Sequence, residues 1–333
     1  MMVHTRMQPM PSTLILTELL PAAGMNRLAT RPDASIRILP VPTSAALAEA
    51  LPAADGVILV MEQPALRAEL IERCPRLRVA SRMGAGYDNC DVEALTRMGV
   101  PLATTGGANA DTVAEHALYL MLALAKRGPT MDRAVKRGDW PRGFGGVELR
   151  DRTCLVVGYG RIGKEIARRA AAFALRILIV DPNVPADEVA RDGYTHAGAL
   201  EGALADADFI VLACALTQAT RRLINPASLA RTKSTAFLIN VARGAVVDEA
   251  ALADALRDGR LAGAGLDVLE IEPPMRENPL LERDDVVLTP HNGAYVRTAY
   301  ERMALACVEN ALAGLDGRLD PSVLVNAEVL NRH

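Results

Sequence analysis

The sequence predicts a two-domain α/β protein in which each domain is a parallel sheet with helices on both faces. Short apolar runs that suit strands alternate with helix-like runs almost throughout, and strands separated by ~10–15 amphipathic residues indicate βαβ units. A length of 333 residues corresponds to about two domains. Half of the residues are apolar but only 3% are aromatic, which favours helices packed closely on sheets over an all-β protein.

The first alternating series occupies the N-terminal part of the chain. Its predicted strands lie at 13–19, 56–60, 77–82 and 100–105, and helix-like runs lie between them at 44–51, 64–74 and 92–99. Crossovers between parallel strands are right-handed, so we expect these helices to cover both faces of one sheet.

The pattern changes near residue 106, where a loop-like glycine pair precedes a long helix-like run. Thr112 and Glu115 have the Ser/Thr-x-x-Glu spacing of a capping box, in which each side chain satisfies a backbone donor of the first turn. We expect the helix to run to Lys126 or Arg127 and to stop at Gly128-Pro129. This helix is predicted to connect the two domains.

A second alternating series then begins. Its predicted strands lie at 153–157, 177–181, 208–213, 236–242, 263–268 and 286–290, and a helical run at 296–315 follows them. That run could return the chain to the first domain. Residues 12–105 and 301–333 are therefore predicted to form one discontinuous, substrate-binding domain and residues 106–300 the other, with a cleft between them.

Composition excludes several classes of function. Net charge is −3 and the sequence has no long basic stripe, so a nucleic-acid partner is not expected. The five cysteines are odd in number and none has C-x-x-C spacing, which argues against disulfides and a metal site and favours the cytoplasm. The longest apolar stretch, 117–125, is too short to span a bilayer.

Three glycines after the strand at 153–157 indicate a dinucleotide site. Gly158, Gly160 and Gly163 form G-x-G-x-x-G, in which the glycines allow the tight turn, the approach of a pyrophosphate and close helix packing. Asp181 ends the next strand, where a carboxylate accepts hydrogen bonds from the ribose hydroxyls. A 2′-phosphate would be repelled there, so NAD is favoured over NADP. The alternatives are a purely structural turn and an acid that only caps the strand.

Polar residues follow three later strands, where ligands bind in open α/β sheets. Arg243 follows one strand, Asp267, Glu270 and Glu272 follow the next, and His291 follows the last. An arginine, a carboxylate and a histidine could together bind a 2-oxo acid and move a proton. Taken singly, each has an ordinary structural reading, as a surface cation, a turn acid or a structural histidine.

These motifs resemble those of the D-isomer-specific 2-hydroxyacid dehydrogenases. The resemblance covers about residues 50–330, and the matching segments, in order, are GAGYDNCD (84–91), TVAEHAL (112–118), RGDW (137–140), the glycine fingerprint, NVARGAVVDE (240–249), GAGLDVLEIEPP (263–274) and TPHNGA (289–294). The resemblance implies two Rossmann-like or flavodoxin-like domains and an NAD-dependent oxidoreductase that acts on CH–OH donors.

The family implies roles for the matching catalytic positions. Arg243 would hold the substrate carboxylate and the reacting carbonyl oxygen, because its planar fork suits two-point recognition. His291 would give a proton to that oxygen as hydride reaches the carbon, and would act as the base in the opposite direction. Glu272 would hydrogen-bond His291 and favour its charged form.

The family also implies binding roles. Met83, Ala85 and Gly86 would lie in the substrate loop, the latter two holding the substrate carboxylate through backbone N–H groups. Asp267 would meet the nicotinamide amide, and further cofactor contacts match Thr112, Arg161, Ile162, Thr217 and Val241. The chain departs from the family at Ala213 and Ala215, where histidine and proline are frequent, and at Asn292.

The expected function is hydride transfer between NAD(H) and a small D-2-hydroxy acid or 2-oxo acid, such as hydroxypyruvate or glyoxylate. One alternative is a D-3-phosphoglycerate dehydrogenase, which would need additional cations for the phosphate. An alternative of another class is a non-catalytic, NAD-sensing protein similar to the corepressors that share this fold. The resemblance also implies a homodimer, with a contact on the apolar side of 112–127. Packing of that side into the protein's own core is the alternative.

Overall fold

The computed structural model describes residues 11–61, 63–143 and 145–331. The chain forms two compact units: Ala110–Val296 is one, and the segments before and after it form the other. These divisions lie four residues from the predicted ones at 105/106 and 300/301. Among the described residues, no helix is both long and apolar enough to cross a membrane.

The discontinuous unit contains a five-stranded parallel sheet. Its strands are β1 (Ser12–Leu16), β2 (Ala34–Ile38), β3 (Gly56–Leu59), β4 (Val79–Arg82) and β5 (Leu102–Thr104). Its helices are α1 (Ala22–Ala29), α2 (Ser44–Ala50), α3 (Ala68–Ile71), α4 (Val92–Arg97) and, after the other unit, α12 (Arg297–Leu315). The strand order β2-β1-β3-β4-β5 is that of flavodoxin-like sheets.

Small residues allow α12 to lie close to the centre of this sheet. A Cβ atom at Gly314 on α12 would come within 2.4 Å of the Val79 side chain on β4. Because this separation is below van der Waals contact, glycine is required at position 314 for the helix and the strand to pack at this distance.

The continuous unit contains a seven-stranded parallel sheet. Its strands are β6 (Thr153–Val157), β7 (Arg176–Val180), β8 (Thr195–His196), β9 (Phe209–Leu212), β10 (Phe237–Asn240), β11 (Gly263–Leu266) and β12 (Val286–Leu288). Its helices are α5 (Ala110–Ala125), α6 (Gly128–Lys136), α7 (Arg161–Ala172), α8 (Ala186–Arg191), α9 (Leu200–Asp206), α10 (Pro226–Leu229) and α11 (Glu249–Arg257).

The strand order β12-β11-β10-β9-β6-β7-β8 is that of a Rossmann domain extended by one strand. Both faces of this sheet are buried, and alternate residues of β6 belong to separate cores. Leu155 and Val157 lie in one apolar cluster, while Cys154 and Val156 lie in the other. Continuous apolar strands are therefore explained by helices on both faces.

Several local predictions were wrong. Strands β2 and β8 were not predicted: β2 is an edge strand whose residues are largely exposed, and β8 has two residues. The predicted capping box fails because α5 begins at Ala110, which places Thr112 inside the helix. The end of α5 at Ala125 lies close to the predicted one, and Pro129 then occupies the first turn of α6, a position that tolerates its missing N–H.

The segment after α12 is also more ordered than its loop-like composition indicated. Two short 3₁₀ helices lie at Pro321–Val323 and Ala327–Asn331. Between them the fully buried side chain of Asn326 accepts a hydrogen bond from the Leu102 N–H and donates to Thr96 Oγ1 and the Val100 carbonyl. These bonds fix the C-terminal segment beside β5.

Candidate active site

The glycine turn between β6 and α7 has the geometry that the fingerprint predicts. Gly158 has φ +95°, and a Cβ atom there would lie 2.7 Å from the Cys214 backbone. A Cβ atom at Gly163 would lie 2.0 Å from the Gly158 carbonyl oxygen. Among the described residues, apart from Gly160 and its neighbours in the chain, no heavy atom lies within 4 Å of the Cβ position built on Gly160, so the second glycine faces open space at the start of α7.

Asp181 lies beside this turn, directly after β7. Its Oδ2 accepts a hydrogen bond of 2.7 Å from the Tyr159 N–H, and its Oδ1 accepts one of 2.9 Å from the Asn183 N–H. The carboxylate is therefore held within the fingerprint. Glycine turn, helix N-terminus and acid together fit a dinucleotide, because backbone N–H groups and the positive helix end favour a pyrophosphate.

The side chain of Tyr159, between the first two glycines, is fixed by its surroundings. Its ring is buried, its hydroxyl donates a 2.6 Å hydrogen bond to Asp192, and Lys164 lies 5.4 Å from the ring centroid. Burial, together with the bond to Asp192, raises the pKa of Tyr159. The phenol is therefore a neutral donor that anchors the turn.

His291 and Glu272 form a direct pair in the same unit. His291 Nδ1 lies 2.8 Å from Glu272 Oε2, and about a third of each side chain is exposed. Glu272 Oε1 accepts a 2.9 Å bond from the Leu269 N–H. Burial raises the pKa of Glu272, but hydrogen bonds from His291 and Leu269 and the charges of His291 and Arg243 outweigh it, so this pKa lies below its ordinary value.

Arg243 follows β10 and is brought towards this pair by close backbone packing. A Cβ atom at the next residue, Gly244, would lie 1.9 Å from the Leu269 backbone, so only glycine lets the two segments meet. Arg243 Nη1 donates a 2.8 Å bond to the Ala242 carbonyl, and Asn240 donates to the Arg243 carbonyl. The positive charge of Arg243 also contributes to the lowered pKa of Glu272, after the larger effects of His291 and Leu269.

Asp267 is almost completely buried, with 4% of its side chain exposed. It accepts hydrogen bonds from the Thr289 hydroxyl (2.6 Å) and from the N–H groups of Asn292 and Gly293 (both 3.0 Å). Burial raises the pKa of Asp267, but the hydrogen bonds from His116 and Thr289 outweigh it, so this pKa is lowered. The ionised carboxylate therefore fixes the turn that carries His291, and its predicted contact with nicotinamide stays a prediction.

The remaining predicted residues are distributed over both units. Thr112 and Val241 are buried, whereas Arg161 and Thr217 are exposed and Ile162 is half-buried. Met83 lies in the other unit, where it is buried and its N–H donates to the Leu59 carbonyl; Ala85 and Gly86 are half-buried. Their binding roles stay predictions.

Sequence reasoning missed two polar residues beside Asp267. His116 Nε2 lies 2.8 Å from Thr289 Oγ1 and 3.2 Å from Asp267 Oδ1. Both residues belong to motifs named in the sequence analysis, but nothing in the local sequence shows that these two motifs meet in the fold.

Within the described parts of the chain, no three histidine, cysteine or acidic residues gather as a metal site. All five cysteines are free.

Comparison with known proteins identifies relatives of this chain. Residues 118–293 match the family model described as D-isomer specific 2-hydroxyacid dehydrogenase, NAD binding domain. The chain is 40% identical over 281 residues to a glyoxylate reductase of Pyrococcus furiosus, covering 82% of this chain and 83% of that protein. It is 39% identical over 254 residues to a D-3-phosphoglycerate dehydrogenase of Archaeoglobus fulgidus, covering 76% of this chain but 48% of that longer protein.

The fold of this chain is also found in solved structures. The fold matches a D-lactate dehydrogenase of Aquifex aeolicus in complex with NAD and lactic acid, with a TM-score of 0.84, 26% identity, and coverage of 95% of this chain and 99% of that one. Family model, relatives and structure all indicate a nicotinamide cofactor and an oxidoreductase. The chain therefore belongs to the D-isomer-specific 2-hydroxyacid dehydrogenases.

Proposed function

We propose that this enzyme uses NADH to reduce a small 2-oxo acid, such as glyoxylate or hydroxypyruvate, to the D-2-hydroxy acid. The observation that carries the proposal is the 2.8 Å hydrogen bond between His291 and Glu272. The charge of Arg243 acts on Glu272, and all three residues belong to the unit that contains the dinucleotide turn. When bound, the nicotinamide ring supplies or accepts the hydride.

His291 holds the proton that the reaction moves. Glu272, whose pKa is lowered, is ionised at neutral pH and only accepts hydrogen bonds. The proton on His291 Nδ1 therefore points to Glu272, and Nε2 is the nitrogen that exchanges a proton with the substrate oxygen. A protonated Nε2 acts as the acid in reduction, and a deprotonated Nε2 acts as the base in oxidation.

Arg243 binds and orients the substrate. A guanidinium offers five N–H donors in a fixed plane, and the bond from Nη1 to the Ala242 carbonyl sets the direction of that plane. Two-point binding of a 2-oxo acid through its carboxylate and carbonyl oxygens places the carbonyl carbon in a defined position. Positive charge beside the carbonyl oxygen also stabilises the negative charge that develops there.

We propose NAD rather than NADP as the cofactor. Asp181 lies next to the fingerprint, and both of its oxygens are oriented by backbone N–H groups. Such a carboxylate accepts hydrogen bonds from two ribose hydroxyls, whereas it repels a 2′-phosphate. The proposal is that the enzyme prefers NADH to NADPH, and activity with the two cofactors is to be compared.

A panel of 2-oxo acids with NADH and NADPH tests the proposed function. Glyoxylate, hydroxypyruvate, pyruvate and 3-phosphohydroxypyruvate are offered, and loss of NADH absorbance is followed. We expect turnover of the small unphosphorylated acids with NADH. Preference for the phosphorylated acid would instead support the phosphoglycerate dehydrogenase alternative, which the Archaeoglobus relative favours.

Binding of NADH without turnover of any acid would contradict the proposal and favour an NAD-sensing protein. Measurement of the products on a chiral column checks the D configuration.

We also propose that the protein is a homodimer in the cytoplasm. The free thiols suit a reducing compartment. On α5, where the dimer contact is expected, the Tyr119 side chain is 49% exposed. Light scattering of the purified enzyme tests the dimer.

A further inference from the structure

His116 on α5 reaches the end of β11 because helix and strand run side by side in matched steps. A Cβ atom at Gly263 would lie 3.3 Å from Leu124, and one at Gly265 would lie 3.0 Å from Leu120. The next pair in this series is Asp267 and His116, whose Oδ1 and Nε2 atoms are 3.2 Å apart.

The matched steps follow from backbone geometry. Four helical residues advance about 6 Å, and two strand residues advance about 6.6 Å. The glycines of β11 lack side chains, so α5 lies directly on the strand. The third contact of the series is polar, at the carboxyl end of the sheet.

The hydrogen-bond directions at this contact are determined by the groups themselves. Asp267, whose pKa is lowered, only accepts hydrogen bonds. The single proton of the Thr289 hydroxyl goes to Asp267 Oδ1 at 2.6 Å. Thr289 Oγ1 must then be the acceptor in its 2.8 Å contact with His116, so His116 Nε2 carries a proton and donates.

These bonds converge on the turn that carries His291. The N–H of His291 donates to the Asp267 carbonyl at 2.7 Å, and the next two N–H groups donate to its carboxylate. His291 has φ +51°, a left-handed conformation that is unfavourable for a residue with a Cβ atom. Such a conformation persists where the surrounding structure over-determines it.

We propose that His116 is a positioning residue for His291: through Thr289 and Asp267 it holds the 289–293 turn in its left-handed conformation and so aims the His291 ring. His116 itself does not contact the reacting atoms in this scheme. The proposal depends on the proposed function only for its kinetic consequence, because the effect on the turn is measurable without turnover.

Hydrogen exchange at the turn tests the structural part. Exchange of the His291, Asn292 and Gly293 amides is measured by mass spectrometry in the wild-type enzyme, His116→Ala and His116→Gln. Alanine removes the donor and should accelerate exchange about 10-fold or more, the effect of losing a hydrogen bond to a charged network. Glutamine offers an amide N–H at similar reach and should restore most of the protection.

A matched control comes from the same helix. Glu115 is adjacent and its side chain is 67% exposed, so Glu115→Ala should leave exchange at the turn unchanged. Equal exchange in wild type and His116→Ala would overturn the proposal. So would equal acceleration by alanine and glutamine, because that result would indicate loss of ring packing rather than of a donor.

Kinetics test the functional part. We expect His116→Ala to lower kcat about 10-fold or more. The stoichiometry of NADH binding, which reports the folded fraction, should be unchanged. Thr289→Val breaks the same chain, so the double variant should lose little more than either single variant. Additive losses would contradict a shared pathway.

The two proposals fail separately. If the wild-type enzyme reduced none of the 2-oxo acids, the proposed function would fail, and the exchange measurements would still decide the role of His116. If the wild type turned over and His116→Ala had unchanged kcat, the positioning role would fail while the proposed function stood.

Discussion

Replacing Glu272 by glutamine separates the charge of the His291 pair from its geometry. Glutamine is nearly isosteric, and its amide oxygen can accept the hydrogen bond that His291 Nδ1 donates to Glu272 at 2.8 Å. What is lost is the negative charge that favours the imidazolium. The variant should therefore keep the His291 ring in place and lower the pH at which the ring loses its proton.

The size of this effect can be worked from the pair itself. Two unit charges 2.8 Å apart interact by about 1.5 kcal/mol in water, and by about four times that amount at an effective dielectric constant of 20. A third of each side chain is exposed, so solvent screening places the value near the lower figure. Losing an interaction of about 1.5 kcal/mol makes the charged imidazolium about 10-fold less favourable relative to the neutral ring.

The assay is kcat/KM for 2-oxo acid reduction from about pH 5 to 9, the range in which histidine titrates. Reduction needs the protonated ring, so activity should fall at high pH, and in Glu272→Gln that fall should occur at lower pH than in the wild type. Glu277→Gln, which removes an exposed carboxylate from the same unit, should not change the profile. If the two glutamine variants gave the same profile, the carboxylate would not support the acid.

Four other predictions concern single positions. His291→Asn should reduce kcat by about 10²- to 10⁴-fold, the contribution of a general acid, while NADH titration shows unchanged binding. Arg243→Lys should lower kcat/KM about 100-fold because lysine lacks the two-point fork, whereas the exposed Arg260→Lys should have no effect on the same assay. Asp181→Ala should narrow the ratio of kcat/KM for NADH over NADPH, and an unchanged ratio would refute the ribose assignment. Asp267→Asn should lose about 1.5–3 kcal/mol of unfolding free energy at neutral pH in denaturant titrations; because the folded-state pKa of Asp267 is lowered, this advantage of the wild type is present above about pH 4 and declines as pH falls through the folded-state value.

Much of the fold could be predicted because its signals are local. The run at 153–157 is apolar because both faces of β6 are buried, and the glycine turn that follows it needs a positive φ at Gly158. Both requirements act on neighbouring residues and are visible in the sequence. The missed strand β2 lies at the sheet edge with exposed side chains, so burial imposed no continuous apolar run on it.

Part of the candidate site could likewise be predicted from the sequence, and part could not. Arg243, Glu272 and His291 could be proposed from the sequence, because each follows a predicted strand and the carboxyl ends of parallel strands share one edge. Their distances could not, because they depend on close packing, such as that of Gly244 against Leu269.

The sequence by itself determined the parallel α/β architecture, the dinucleotide turn and the residue types offered for chemistry, because these follow from burial and backbone conformation along short stretches. The tertiary structure alone decided that Asp267 is buried, that Thr289 donates to its carboxylate, and that His116 lies 3.2 Å from it and contacts Thr289. It also decided that the N–H groups of Asn292 and Gly293, beside the left-handed His291, donate to this carboxylate. The physical reason is that a buried carboxylate must be satisfied by whatever groups packing brings to it, and those groups come from α5 and from the turn after β12, which are far apart in the chain.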